Sequence, residues 1–72
     1  MIFRKARNVK SGDFIVIEGM TMGLKVEFIE IMKDEKEVRI YPLSDRKPKP
    51  CLVLSQDDYI EIRDVPFKYF NE

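Results

Sequence analysis

Residues 9–31 read VKSGDFIVIEGMTMGLKVEFIEI, a pattern that predicts a turn, a strand, a loop and a longer strand. Gly12-Asp13 favours a tight turn, because glycine accepts a positive φ and aspartate can bond back to its own backbone. Residues 14–17 are apolar and mostly β-branched or aromatic, as in a short buried strand. The loop at 19–23 has glycine at both ends, and a second strand at 24–32 follows it. This unit indicates a small β-barrel.

The second strand changes the face that carries its apolar side chains. Leu24, Val26 and Phe28 alternate along one face, whereas Ile29 and Ile31 lie on the opposite face. Because side chains in a strand alternate with a period of two residues, this change of phase predicts a β-bulge or a sharp bend. In small barrels a bent strand contributes to two sheets. We therefore expect a barrel rather than a flat meander.

The rest of the chain predicts three further strands separated by polar turns. Residues 37–43 and 59–63 alternate apolar and polar side chains, and residues 51–54 are a short apolar run. No segment has the apolar spacing of an amphipathic helix, so the pattern predicts an all-β fold. The 72 residues suffice for a single domain. We expect an SH3-like barrel of five or six strands, because no helix is predicted between the third and fourth strands, and an OB-like barrel is the alternative.

The expected core consists of apolar residues on the inward faces of these strands. Residues 1–8 are basic and form either a loose arm or a short edge strand, and residues 65–72 form an aromatic tail. One cysteine and no histidine leave neither a disulfide nor a Cys/His zinc site within one chain. The predicted core residues are Val9, Ile15, Ile17, Val26, Phe28, Ile31, Val38, Ile40, Leu52, Leu54, Ile60 and Ile62.

Residues 12–26 resemble the KOW motif of SH3-like barrels in ribosomal proteins and transcription elongation factors. The resemblance implies an SH3-like barrel that associates with nucleic acid or with a nucleic-acid-processing machine. The same strand–loop–strand shape also occurs in SH3-like barrels that bind proteins, so the fold leaves both functions open. The matching positions are Gly12, Asp13, Ile15, Ile17, Gly19, Gly23 and Val26.

The charges of the chain balance overall but are segregated along it. Thirteen basic and 13 acidic residues give a formal net charge of zero, which argues against strong non-specific binding of polyanions. Basic residues nevertheless cluster at 1–10 and 46–49, and on a shared face they would contact phosphates while Arg39 and Tyr41 stack on bases. The alternative is a solvated, charge-balanced surface. The predicted nucleic-acid-binding residues are Arg4, Lys5, Arg7, Lys10, Arg39, Tyr41, Arg46, Lys47 and Lys49.

Two apolar segments predict a protein-binding surface as the alternative function. Met20 and Met22 lie in the glycine-bounded loop, where methionine adapts to varied surfaces. Phe67, Tyr69 and Phe70 make the tail more apolar than a free terminus usually is. In this alternative the chain is a regulator or inhibitor, such as a small viral accessory protein. Its apolar residues would contact a protein partner or form a homodimer. Alternatively, the methionines plug one end of the barrel and the tail closes its open end.

No residue pattern points to catalysis. Asp57-Asp58 has the sequence of a turn. The chain contains no histidine that could act with this acidic pair or serve as a base for Cys51. We therefore expect a protein that is not an enzyme, with no catalytic residue, no cofactor and no metal. No apolar run resembles a signal peptide or approaches the length of a membrane span. With the lone thiol, this predicts a cytoplasmic protein that does not associate with membranes.

Overall fold

The computed structural model describes residues 2–17, 19 and 23–63, which form one open antiparallel sheet. Two 3₁₀ turns, Ala6–Asn8 and Lys33–Glu35, connect strands of this sheet. Its strand order is β1-β6-β2-β3-β4-β5, so β1 and β5 are the edges within the described ranges. The predicted all-β class is confirmed. The strands are β1 (Ile2–Lys5), β2 (Phe14–Val16), β3 (Leu24–Met32), β4 (Glu37–Pro42), β5 (Leu52–Ser55) and β6 (Tyr59–Arg63).

Strand β3 joins the two halves of the sheet. Its first residues pair with β2, where Ile15 lies opposite Leu24, and the rest of the strand pairs with β4. The predicted bulge is confirmed, because the register with β4 shifts between Val26 and Phe28. Glu27 is therefore the extra residue. The phase change lies nearer the start of the strand than the sequence pattern indicated, and this difference decides which way Phe28 points.

The core is a cluster of eight buried residues drawn from both halves of the sheet. Ile15, Val26, Val38 and Ile40 are at most 1% exposed, and the predicted residues Ile17, Leu52 and Leu54 pack against the cluster while partly buried. Ala6 is fully buried although the sequence pattern did not indicate it, because the 3₁₀ turn directs this small side chain inward. The buried members are Ala6, Val9, Ile15, Val26, Val38, Ile40, Ile60 and Ile62.

Two predicted core residues are exposed instead, and the prediction was wrong for both. Phe28 is 39% exposed because the bulge at Glu27 turns it to the outer face. Ile31 is 44% exposed. It lies opposite the buried Val38 but only two residues before the turn at Lys33–Glu35, where the β3–β4 hairpin ends. Ile29, which the prediction did not include, packs against the core in their place.

The predicted turn at Gly12-Asp13 is confirmed, and it is fixed to the bulged part of β3. Gly12 has a φ of 94°, a conformation that glycine adopts without a steric penalty. The Asp13 carboxylate accepts hydrogen bonds from the Lys10 backbone N–H at 3.0 Å and from the Arg4 guanidinium at 2.7 Å. Backbone bonds join both turn residues to Val26, at 2.9 Å and 2.8 Å. The turn therefore positions the basic N-terminal segment against the sheet.

The N-terminal segment is an edge strand rather than a loose arm. Residues Ile2–Lys5 pair with β6 along their whole length, with Ile2 opposite Ile62 and Lys5 opposite Tyr59. The Ala6 N–H then donates to the Asp58 carbonyl at 2.7 Å. Within the described residues, no helix is long and apolar enough to cross a membrane.

Replacing Asp13 with alanine should destabilise the fold by about 1–3 kcal/mol, because a largely buried carboxylate that satisfies two donors is lost. Its side chain is only 13% exposed. The matched control is Asp57→Ala, whose carboxylate is 71% exposed and pairs with Arg7. That change should cost less than about 1 kcal/mol. Urea denaturation followed by circular dichroism measures both, and equal losses would contradict the role given to Asp13.

Candidate nucleic-acid interface

The outer face of the β3–β4 pair presents two stacked aromatic rings. Phe28 lies directly opposite Tyr41 in the register, and their ring centroids are 4.3 Å apart with an interplanar angle of 15°. Arg39 lies in the next outward row, opposite Glu30 on β3 and Val53 on β5. We call Phe28, Arg39 and Tyr41 the aromatic platform. It combines two ring faces with a guanidinium on one side of the sheet.

The sequence of β4 dictates the outward direction of Arg39 and Tyr41. Val38 and Ile40 are fully buried, so the residues that alternate with them face away from the core. The outward direction of both residues was predicted from the sequence. Phe28 was missed, although placing the phase change at Glu27 instead of after Phe28 would have assigned it to the same face as Tyr41.

A hydrogen bond to Glu30 fixes the Tyr41 ring of the platform. The Tyr41 hydroxyl donates to the Glu30 carboxylate at 2.8 Å. This hydrogen bond, with partial desolvation and the negative charge of Glu30, raises the pKa of Tyr41 above its usual value of 10.0, and a hydrogen bond from Arg39 opposes the shift. The ring therefore stays neutral at physiological pH. Glu30 also places a negative charge beside Arg39, which lowers the positive potential of this face.

Several of the predicted basic residues are paired with carboxylates. Arg4 contacts Asp13 at 2.7 Å, and Lys49 contacts Glu27 at 3.2 Å. Two more cations share the carboxylate of Asp57: the Arg7 guanidinium lies at 2.7 Å and the Lys5 ammonium at 3.8 Å. These pairings reduce the charge that the N-terminal segment can offer to phosphates.

The two basic segments come together only at their inner ends. The Ser11 hydroxyl donates to the Glu27 carbonyl at 2.7 Å, and the Lys49 ammonium donates to the Glu27 carboxylate. The turn after Lys10 and the loop at 44–50 therefore meet at the residue next to Phe28. Lys5 and Arg7 lie instead at the turn between β5 and β6, through their contact with Asp57. The structure thus divides the predicted set in two.

Three other predicted cations are exposed, and they differ from those above in their pairing: Lys10, Arg46 and Lys47. Within the described ranges, no carboxylate oxygen lies within 4.0 Å of the charged side-chain nitrogens of these three residues. The Arg46 backbone N–H donates to the Ser44 hydroxyl at 3.1 Å, which shapes the loop. These three residues are therefore the cations best placed to accept a new anionic partner. The predicted protein-binding residues lie outside the described residues: Met20, Met22, Phe67, Tyr69 and Phe70.

The chain matches no protein-family model, no curated protein and no solved structure. Among the described residues, no group of three or more His, Cys, Asp or Glu side chains could hold a metal ion. Cys51 is exposed and free.

The pKa of Tyr41 should lie above 10.0 and should fall toward it in Glu30→Gln, because the amide accepts the hydrogen bond without a negative charge. An NMR titration of the Tyr41 ring carbon that bears the hydroxyl measures both values. The protonated form is favoured in the folded protein. Its stabilisation is therefore fully present below pH 10.0 and is lost as the pH rises through the raised pKa. An unchanged pKa in the variant would contradict the role of Glu30.

Proposed function

We propose that the chain is a non-enzymatic binding module with an SH3-like barrel fold that associates with single-stranded nucleic acid. The observation that carries the proposal is the stack of the exposed Phe28 ring on the half-buried Tyr41 ring, with Arg39 in the neighbouring row. Stacking of a base on an aromatic side chain is worth about 1–3 kcal/mol and tolerates any base. The guanidinium plane of Arg39 adds a second surface for a base.

The barrel part of the proposal is supported by how β3 is used. This strand pairs with both β2 and β4, and residues from both halves of the sheet belong to one buried cluster. The connection from β5 to β6 is a short turn closed by the Asp58 N–H, which donates to the Ser55 carbonyl at 3.0 Å. Both features suit a small barrel in which one bent strand serves two half-sheets.

The charge layout indicates that stacking, rather than phosphate contacts, would supply most of the affinity. The net charge is zero, and Glu30 lies on the same face as the rings. Lys49 pairs with the partly exposed carboxylate of Glu27, the residue before Phe28, and Arg46 and Lys47 are cations of the same loop. Exposed ion pairs are worth at most about 1 kcal/mol, so Lys49 can exchange its partner for a phosphate at small cost. We therefore expect modest affinity and a shallow salt dependence.

Replacing Phe28 with leucine should weaken binding of an eight-nucleotide oligo(dT) or oligo(U) about tenfold, because the apolar bulk remains and the ring face is lost. The matched control is Tyr59→Leu, which removes a 65% exposed ring on β6, away from the platform. An NMR titration at low salt measures both. Equal effects of the two variants would contradict the platform. No binding by the unchanged protein would overturn the proposal and leave a protein-binding regulator as the candidate function.

Reversing the charge of Lys47 should weaken oligonucleotide binding more than reversing that of Arg7. Lys47 lies in the loop that meets β3 next to Phe28, whereas Arg7 is held by Asp57 at another part of the sheet. Each lost phosphate contact should make the slope of log affinity against log salt shallower by about 0.7 for a single strand. The measurement is binding affinity across a series of salt concentrations. A larger loss in Arg7→Glu would place the phosphate contacts on the N-terminal segment instead.

A further inference from the structure

A second surface of the chain, separate from the aromatic platform, is an apolar groove. It has a volume of about 310 Å³ and lies where β4 ends and β5 begins. We call it the end groove. The platform residues Phe28, Arg39 and Tyr41 do not line it. Its described lining residues are Ile17, Leu24, Pro42, Leu43, Ser44, Arg46, Pro50, Cys51 and Leu52.

The end groove has a fixed floor and an exposed apolar rim. Ile17, Leu24 and Leu52 pack against the buried core, so the floor is part of the folded sheet. Leu43 is 63% exposed, yet its backbone N–H donates to the Lys25 carbonyl at 2.8 Å. A large aliphatic side chain is therefore held in position beside the groove without being covered by the described residues. This arrangement favours contact with an apolar side chain of a partner.

Among the described residues that line the groove, the charged one is Arg46. Lys47 follows it in the same loop. No aspartate or glutamate is among the described lining residues, and no described carboxylate pairs with Arg46 or Lys47. Asp45 belongs to the loop but does not line the groove. A partner that places a carboxylate next to its apolar side chain would complement this rim.

The loop that carries Arg46 is anchored at its far end. The Lys49 ammonium donates to the Ser44 carbonyl at 2.9 Å as well as to the Glu27 carboxylate at 3.2 Å. The groove also borders β5, which is a sheet edge within the described ranges. An edge strand offers unpaired backbone groups to an extended peptide. The open apolar lining and the guanidinium of Arg46 fit an extended peptide that carries an apolar side chain next to a carboxylate.

We propose that the end groove binds an extended segment of a protein partner in which a large apolar residue is followed by acidic residues. The apolar side chain fills the space beside Leu43 and Leu52, and a carboxylate pairs with Arg46. None of the three platform residues lines this site, but Arg46 lies in the same loop as the cations proposed to contact phosphate.

Amide NMR spectra of the full chain, titrated with the blocked peptide acetyl-Leu-Phe-Asp-Glu-amide, test the proposal. The expected result is a set of shifts centred on Leu43, Arg46 and Leu52. The neutral peptide acetyl-Leu-Phe-Asn-Gln-amide should bind about fivefold more weakly, because it cannot form the ion pair. No shifts at millimolar peptide, shifts centred on the aromatic platform, or equal affinity for the two peptides would each overturn the proposal.

Two variants separate the charge from the apolar contact. Arg46→Gln should abolish the preference for the acidic peptide, whereas Lys33→Gln, which changes an exposed lysine in the turn between β3 and β4, should keep it. Leu43→Ser should weaken both peptides by about fivefold or more through lost apolar contact. It keeps the backbone bond to Lys25, so the unliganded spectrum should remain folded. A preference that survives in Arg46→Gln would overturn the proposal. So would a groove filled by a second copy of the chain, seen as concentration-dependent sedimentation without peptide shifts.

Discussion

Strand β3 has to serve both halves of the sheet, and the bulge at Glu27 is the constraint on which the rest depends. Before the bulge, Val26 faces the core and is 1% exposed. After it, Ile29 packs against the same core while Phe28 turns outward. A strand without an extra residue would place these apolar side chains on conflicting faces. One inserted residue therefore both completes the core and creates the exposed ring that stacks on Tyr41.

Glu27 also binds two loops, the turn that contains Ser11 and the loop at 44–50, next to the candidate interface. Its carbonyl accepts from the Ser11 hydroxyl and its carboxylate accepts from Lys49. The neighbouring residue Val26 makes both backbone bonds to the Gly12-Asp13 turn. Two segments that are distant in sequence thus end at the same point of β3. A chain of 72 residues has a small core, and these polar contacts outside the core help to fix the loops that the core does not reach.

Many of the opposite charges form local ion pairs, so the basic and acidic side chains do not separate into one dipolar surface. The pairs Arg7 with Asp57 and Lys49 with Glu27 join segments that are distant in sequence, and Arg4 with Asp13 joins β1 to the turn that follows it. Such pairs leave a surface with little net potential, on which specific contacts depend on ring faces, grooves and a few unpaired cations. This explains why the two proposed surfaces rest on shape and stacking first. Their charges, Arg39 on one and Arg46 on the other, act as the selective elements.

The sequence by itself determined the strands and much of the core, because alternation and turn chemistry are local properties. The predicted bounds of β3 and β6 are those observed, and Val38 and Ile40 alternate with Arg39 and Tyr41 as expected. Only the tertiary structure decided that Glu27 is the bulged residue and Phe28 an exposed one, since a strand's phase is set by its pairing partner. It also decided which cations are neutralised and where an apolar groove opens, because those depend on through-space distances between segments that no local pattern encodes.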